Sequence, residues 1–216
     1  MPIVVAVDLR DQFGPARDQD PRPTCMAFAA SDAHAGARTG WEPLSVEWAY
    51  YHALKRDGGP PSGGVTMAAM RATLHNDGQP AETGWPYIAQ EIVHTTLWTP
   101  PAAAPLFRRN SKECAALPQA IRERLDAGSP VLMIMSVSSR FDYGWDAEFV
   151  VAGDEPLDSA RRHAIVVVGH GIRNGRPLFL VRNSWGEEWG DAGYVWLDLD
   201  YLQPRLLRAS VLTEEL

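Results

Sequence analysis

Along the first half of the chain apolar residues recur at helical spacing, and along the second half they gather in short continuous runs. Pro23 and Thr24 precede the Ala-rich run Cys25-Met26-Ala27-Phe28-Ala29-Ala30, which continues to about Ala37 with Gly40 beyond it. This predicts a helix with Thr24 near its N-cap and Cys25 in its first turn. Ser45 opens a second helix on Trp48, Tyr51 or His52, and Leu54, which Gly58-Gly59-Pro60-Pro61 ends. Met67, Met70 and Leu74, three and four apart after Gly63-Gly64, mark a third. From about Ala89 to Cys114 the pattern dissolves, and Pro100-Pro101-Ala102-Ala103-Ala104-Pro105 suits a connection between two lobes. Pro118 stands where a first helical residue belongs, Ile121 and Leu125 are four apart, and Gly128 closes that helix. Val131 to Val137, Ala164 to Val168, Leu178 to Val181 and Tyr194 to Leu199 read as strands. The fold class expected is α+β, with a cleft where the lobes meet.

Composition narrows the function classes. The 216 residues carry 20 Lys+Arg and 27 Asp+Glu, a net charge of −7, with 45% hydrophobic residues. Disorder, collagen and coiled coil are excluded, and without a basic run nucleic acid is not an expected partner. No apolar stretch approaches the roughly 20 residues a membrane helix needs, so no membrane partner is expected. The N-terminus lacks the basic region and apolar length of a secretory signal. Two cysteines, Cys25 and Cys114, provide no disulfide framework. A reducing, cytoplasmic setting is the expectation, with secretion of a larger precursor the alternative.

Asn174-Gly175 is a strong hairpin signal between two of the strands. Pairing about it puts Arg173 opposite Arg176, so partner numbers sum to 349 and His163 faces position 186, three residues from Asn183. A bulge or twist closes that offset and brings an imidazole beside a carboxamide. Cys25, at the positive end of its helix, supplies a thiol whose anion is favoured there. A thiol needs a base, and the base needs an acceptor on its other ring nitrogen. Cys25, His163 and Asn183 are those three types. Gln19 offers a side-chain amide to an oxyanion hole beside the Cys25 N–H.

These residues resemble the papain-like cysteine peptidases over nearly the whole chain. The resemblance runs through Asp8-Leu9-Arg10, Gln19, Cys25-Met26-Ala27-Phe28, Leu44-Ser45, Gly63-Gly64, Trp85-Pro86-Tyr87 and His163-Ala164 to Gly169-His170-Gly171. Its most specific block is Val181-Arg182-Asn183-Ser184-Trp185-Gly186-Glu187-Glu188-Trp189-Gly190, followed by Gly193-Tyr194. It implies one domain over 1–216: a helical lobe over about 16–115, and a β-barrel-like lobe over about 116–216 with the N-terminal strand in 1–15. It implies hydrolysis of peptide bonds, with Cys25 as nucleophile, His163 as acid and base, Asn183 as orienter and Gln19 as oxyanion donor. Trp185 is implied to shield the Asn–His bond, Gly63-Gly64 to pair with an extended peptide, and Val65, Ile134 and Ala164 to form an apolar pocket. Neither metal nor organic cofactor is implied. A peptide or protein is the expected substrate, and a protein inhibitor or regulatory domain an expected partner, the chain starting near a mature-like boundary.

Two departures bear on the chemistry. Arg22-Pro23-Thr24-Cys25-Met26 replaces the usual Cys-Gly-Ser-Cys-Trp, removing a family disulfide. Arg162 precedes His163 where relatives often carry Asp or Asn, and a cation there is expected to disfavour imidazolium. Acyl transfer on the same residues, and peptide binding without catalysis, are the competing readings. His34, His52, His75 and His94 lack zinc-site spacing and read as surface or core residues. Gly169-His170-Gly171 is not a dinucleotide loop, because hairpin rather than helix follows it.

Overall fold

The first three helices form where the caps and breakers put them. They are α1 (Cys25–Gly36), α2 (Val46–Asp57) and α3 (Met67–Asn76). Ser45 Oγ accepts the Trp48 N–H at 3.1 Å and Thr66 Oγ1 accepts the Ala69 N–H at 3.2 Å, each satisfying a first-turn donor. Strand β1 (Val4–Asp8) precedes them. After them come β2 (Arg109–Cys114), α4 (Pro118–Asp126), β3 (Val131–Ser136), α5 (Ser139–Tyr143) and β4 (Val150–Val151). The chain ends with β5 (Arg162–Arg173), β6 (Arg176–Arg182), β7 (Tyr194–Asp198), α6 (Leu199–Leu202) and β8 (Leu206–Glu215). The computed structural model describes residues 2–153, 155–157 and 160–216.

The fold is α+β and two-lobed, but the strands do not close into the expected barrel. They form one open sheet in the order β2-β8-β3-β5-β6-β7-β4, with β1 on the far end of β5. All pairs are antiparallel except β4 with β7. The ends of the sheet, β2 and β4, stay unpaired with each other. The expected connection of 89–114 also contains β2. Its sequence Arg-Asn-Ser-Lys-Glu-Cys is polar throughout and lacks alternation because it is an edge strand with little surface to bury.

The sheet is buried on both faces, which is why its central strands read as unbroken apolar runs. Leu132, Ala164, Val166, Val168, Leu178 and Leu180 share one cluster with residues of α1, α2 and α3. Met133, Ile165, Val167, Phe179 and Val181 share another with Ile121 and Leu125 of α4, Phe141 of α5 and Tyr201 of α6. A buried charge cluster locks α1 to the sheet: Asp32 accepts from Arg182 Nε at 2.7 Å and from Arg17 Nη2 at 2.6 Å. Arg182 also donates to the carbonyls of Gly14 and Pro15 at 2.8 and 2.6 Å. The helix that starts at Cys25 is thereby tied to the strand that ends beside Asn183.

Candidate active site

The α1 N-terminus is less conventionally capped than its sequence suggests. Thr24 holds the N-cap position, but its side chain accepts no helix N–H. Its hydroxyl instead reaches the Arg22 carbonyl at 3.4 Å and the Tyr87 hydroxyl at 3.1 Å. The first-turn amides thus remain available to a ligand or to the thiol itself. Burial pushes the Cys25 thiol up. The hydrogen bond with His163, the imidazole charge, and the Ala164 and Met26 amides outweigh it, leaving the thiol below its ordinary value.

His163 reaches its place through the hairpin and an irregularity in it. Partner numbers sum to 349 from Arg173↔Arg176 to Gly169↔Leu180, as the turn dictates. A bulge at Val168 then moves the register by one, giving Val167↔Val181 and Val166↔Arg182. Extrapolated, that puts His163 across from Trp185 rather than Gly186, one step nearer Asn183. His163 Nε2 donates to Asn183 Oδ1 at 2.6 Å, and the same oxygen accepts the Ser184 N–H at 2.8 Å. Nδ1 is left for Cys25. The Asn183 N–H is held by the Gly193 carbonyl at 2.9 Å. Gly193, at φ 91°, is required there, since a Cβ would lie 2.1 Å from that of Ala16.

Burial pushes the His163 imidazole down, while the hydrogen bond and charge of Cys25 and the Asn183 hydrogen bond push it up. The net direction is upward. The cation expected to oppose this is not Arg162 but Arg161, which pairs with Asp142 at 2.9 Å. The Trp185 ring lies 4.9 Å from the His163 ring at 36°, and Phe141 meets it edge-on at 6.0 Å. Water approaching the His163–Asn183 bond meets aromatic carbon on that side.

Gln19 lies outside the cavity walls but is fixed in orientation. Its Nε2 donates to the Arg22 carbonyl at 3.0 Å, its Oε1 accepts from Ser184 Oγ at 2.7 Å, and its carbonyl accepts from Tyr87 at 2.6 Å. One of its two Nε2 hydrogens is uncommitted. The loop is anchored beneath by a buried ion pair absent from the sequence reading. Arg22 Nη1 donates to Glu47 Oε2 at 2.7 Å, and Glu47 also accepts from Trp98 Nε1 at 2.6 Å and from the Ile88 N–H at 3.1 Å. Glu47 sits between Val46 and Trp48 in a buried helix face, and a lone acid in such a setting was the available signal.

A cavity of about 620 Å³ opens beside the thiol, lined by Cys25, His163, Gly64, Val65, Ile134 and Ala164 among others. Gly63 departs from the expected pair. Its N–H donates to the Pro60 carbonyl at 2.9 Å and its carbonyl accepts from Tyr50, so its backbone is spent on a turn and only Gly64 faces the cavity. Met67 lines the cavity, while Met70 is buried in the core. Arg162 lines it too, as do Arg208, Leu207 and Glu113, three residues that the sequence did not single out. Among the described residues no group of three His, Cys, Asp or Glu is placed to hold a metal, and no helix is long and apolar enough to cross a membrane.

A two-lobed α+β fold with a cysteine opening one helix against a histidine-bearing strand is the papain-like class of architecture. The chain belongs to that family: the model described as "Papain family cysteine protease" matches residues 3–203. It is 28% identical to cathepsin K of Gallus gallus over 208 residues, 89% of this chain and 58% of that protein. To digestive cysteine proteinase 3 of Homarus americanus it is 25% identical over 200 residues, 90% of this chain and 61% of that one. It therefore spans under two thirds of the length of these curated relatives. In fold it is similar to xylellain, a cysteine protease from Xylella fastidiosa, with a TM-score of 0.77 at 22% identity, covering 96% of this chain and 85% of that one. The proform of the ragweed pollen allergen Amb a 11 cysteine protease gives a TM-score of 0.79 at 21% identity, covering 98% and 66%.

Proposed function

We propose that the chain is a cysteine peptidase that hydrolyses peptide bonds through a thioester. The observation that carries this reading is the hydrogen-bonded line from the Cys25 thiol through His163 to Asn183 at the edge of an open cleft. Nδ1 of His163 takes the Cys25 proton, and the thiolate attacks the carbonyl carbon of the scissile bond. The oxyanion so formed accepts from the Cys25 N–H and from the spare Gln19 Nε2 hydrogen. His163 returns its proton to the leaving amine as the C–N bond breaks. Water, giving a proton to the same ring, then attacks the thioester and releases the acid and the thiol. Asn183 keeps Nε2 protonated and the ring in line throughout, and Trp185 keeps water off that bond. A peptide or protein is the substrate, and its main chain runs past Gly64, where no side chain blocks approach.

Digestion of an unbiased peptide library, with products read by mass spectrometry, tests this. Cleavage by the wild type and none by Cys25→Ala is the expected result. Cleavage that survives Cys25→Ala, or a folded wild type that neither cleaves nor reacts with a thiol-directed peptidyl inhibitor at any pH, refutes it.

A further inference from the structure

The charge of the cleft runs against that of the chain. The protein carries a net −7, yet the cavity beside Cys25 and His163 is lined by Arg162 and Arg208 against one carboxylate, Glu113. Strand register shows how they are arranged. Ile134 pairs with Ala164 on β5 and with Arg208 on β8, so Arg208, Ile134 and Ala164 form one row across the cavity wall. Arg162, two residues before Ala164, stands on the same face of its strand. In the pairing of β3 with β8, Ile134 meets Arg208 and Met135 meets Leu206, which leaves Leu207 as the extra residue of a bulge. Leu207 also lines the cavity.

Glu113 does not neutralise this wall. It is 2.9 Å from Arg71 and 3.9 Å from Arg208, one carboxylate shared by two guanidinium groups. Among the described residues Arg162 has no side-chain hydrogen bond and no acidic partner, and it is exposed next to His163 in sequence. Two strand spacings of about 4.8 Å and one two-residue step of about 6.8 Å separate the Arg162 and Arg208 backbones, within reach of roughly four residues of extended peptide. The apolar middle of the row, Ile134 and Ala164, leaves the two cations as the polar contacts on that wall.

We propose that the cleft selects peptides bearing acidic side chains close to the cleaved bond, with Arg162 and Arg208 each donating to a substrate carboxylate. This rests on the peptidase reading for the word "cleaved", while the charge preference can be read separately as binding. Matched peptides carrying Glu, Gln or Lys within three residues of a bond cut by the wild type are compared by kcat/KM. The same labelled peptides are titrated onto Cys25→Ala by fluorescence anisotropy. Glu is expected over Lys by roughly tenfold in both assays, from an attraction gained and a repulsion avoided at exposed cations. The preference is expected to shrink as salt is raised. Arg162→Glu and Arg208→Glu are each expected to lower the Glu-to-Lys ratio, and the double variant to invert it. Cleavage without charge preference, or a ratio unmoved by both substitutions, overturns the inference and leaves the peptidase reading standing. Glu-selective binding without cleavage overturns the peptidase reading and leaves the charge preference standing. Absence of both binding and cleavage overturns both.

Discussion

Glu47 is fully buried, and Arg22 is 3% exposed. Glu47→Gln keeps the shape of the side chain and removes its charge, so the Arg22 guanidinium is left in the interior without a counter-ion. It also turns one acceptor oxygen into an amide donor facing donors: Arg22 Nη1 and Nη2 at 2.7 and 3.1 Å, the Ile88 N–H at 3.1 Å and Trp98 Nε1 at 2.6 Å all point at this carboxylate. Breaking a buried pair by one partner costs about 3–5 kcal/mol, and with four donors converging the upper part of that range is expected. Against a total of roughly 5–15 kcal/mol for a domain, that is roughly a quarter or more of the stability. The assay is urea unfolding followed by tryptophan fluorescence, since Trp98 reports the site directly. Adding Arg22→Met to Glu47→Gln removes the stranded cation while the amide oxygen at position 47 still accepts from the Trp98 and Ile88 donors, and is expected to recover part of the loss. A Glu47→Gln cost below about 1 kcal/mol, or a double variant worse than the single one, would refute the account of Arg22 as a desolvated cation.

Three further outcomes are expected. His34 is fully buried, and burial, opposed by the Gln79 hydrogen bond and reinforced by Arg109 and Arg38, brings it from 6.5 down to about 4. The unfolded chain therefore binds a proton first, and stability present above pH 6.5 is lost as pH falls toward 4, by up to roughly 3 kcal/mol at 1.36 kcal/mol per pH unit. His34→Leu should flatten that stretch of the wild-type profile in urea melts, and an identical profile would contradict it. Cys25 lies below and Cys114, raised by burial, lies above the ordinary thiol value, so limited iodoacetamide at neutral pH should alkylate Cys25 first by peptide mapping. Preferential labelling of Cys114 would count against the His163 hydrogen bond. Asn183→Ala removes the acceptor at 2.6 Å from Nε2 and should lower kcat/KM by roughly ten- to a hundredfold, with the imidazolium lost at lower pH than in wild type. An unchanged acid–base profile would show that Asn183 does not hold the ring.

Helices α2 and α4 were legible because they carry their own punctuation: Ser45 and Gly58, Pro118 and Gly128 mark ends that depend on the backbone alone, whereas the one-turn helices α5 and α6 are too short to show a helical period and were not read. His163 and Asn183 were legible for a related reason, the Asn174-Gly175 turn fixing a register before any tertiary contact is known, and Cys25 from its place at the start of α1. What stayed hidden needs neighbours. Gly169 in β5 is a bulge signal but does not say which neighbour shifts, β2 is polar enough to pass for a loop, β8 mixes apolar and polar residues without strict alternation, and an open sheet and a closed barrel share the same local pattern. The Arg162–Arg208 wall is invisible for the same reason, since only the pairing of β5 and β8 through β3 brings those residues onto one face of the cleft.

One alternation accounts for how an imidazole can be buried and still meet the cleft. Ala164, Val166 and Val168 of β5 face α1, while Ile165 and Val167 face the opposite cluster, and His163 shares their parity. Its ring accordingly packs against Phe141 and Trp185 from that opposite side, and is drawn back to the cleft at the first turn of the strand by Asn183 on one nitrogen and Cys25 on the other. Burial alone would make the ring a poorer base and the sulfur a poorer anion. Each is restored by the other's charge, so the two shifts are one interaction seen from both ends. Had His163 the parity of Ala164, it would lie in the open cavity with Arg162, solvated and free to turn, and Asn183 would have no buried ring to orient.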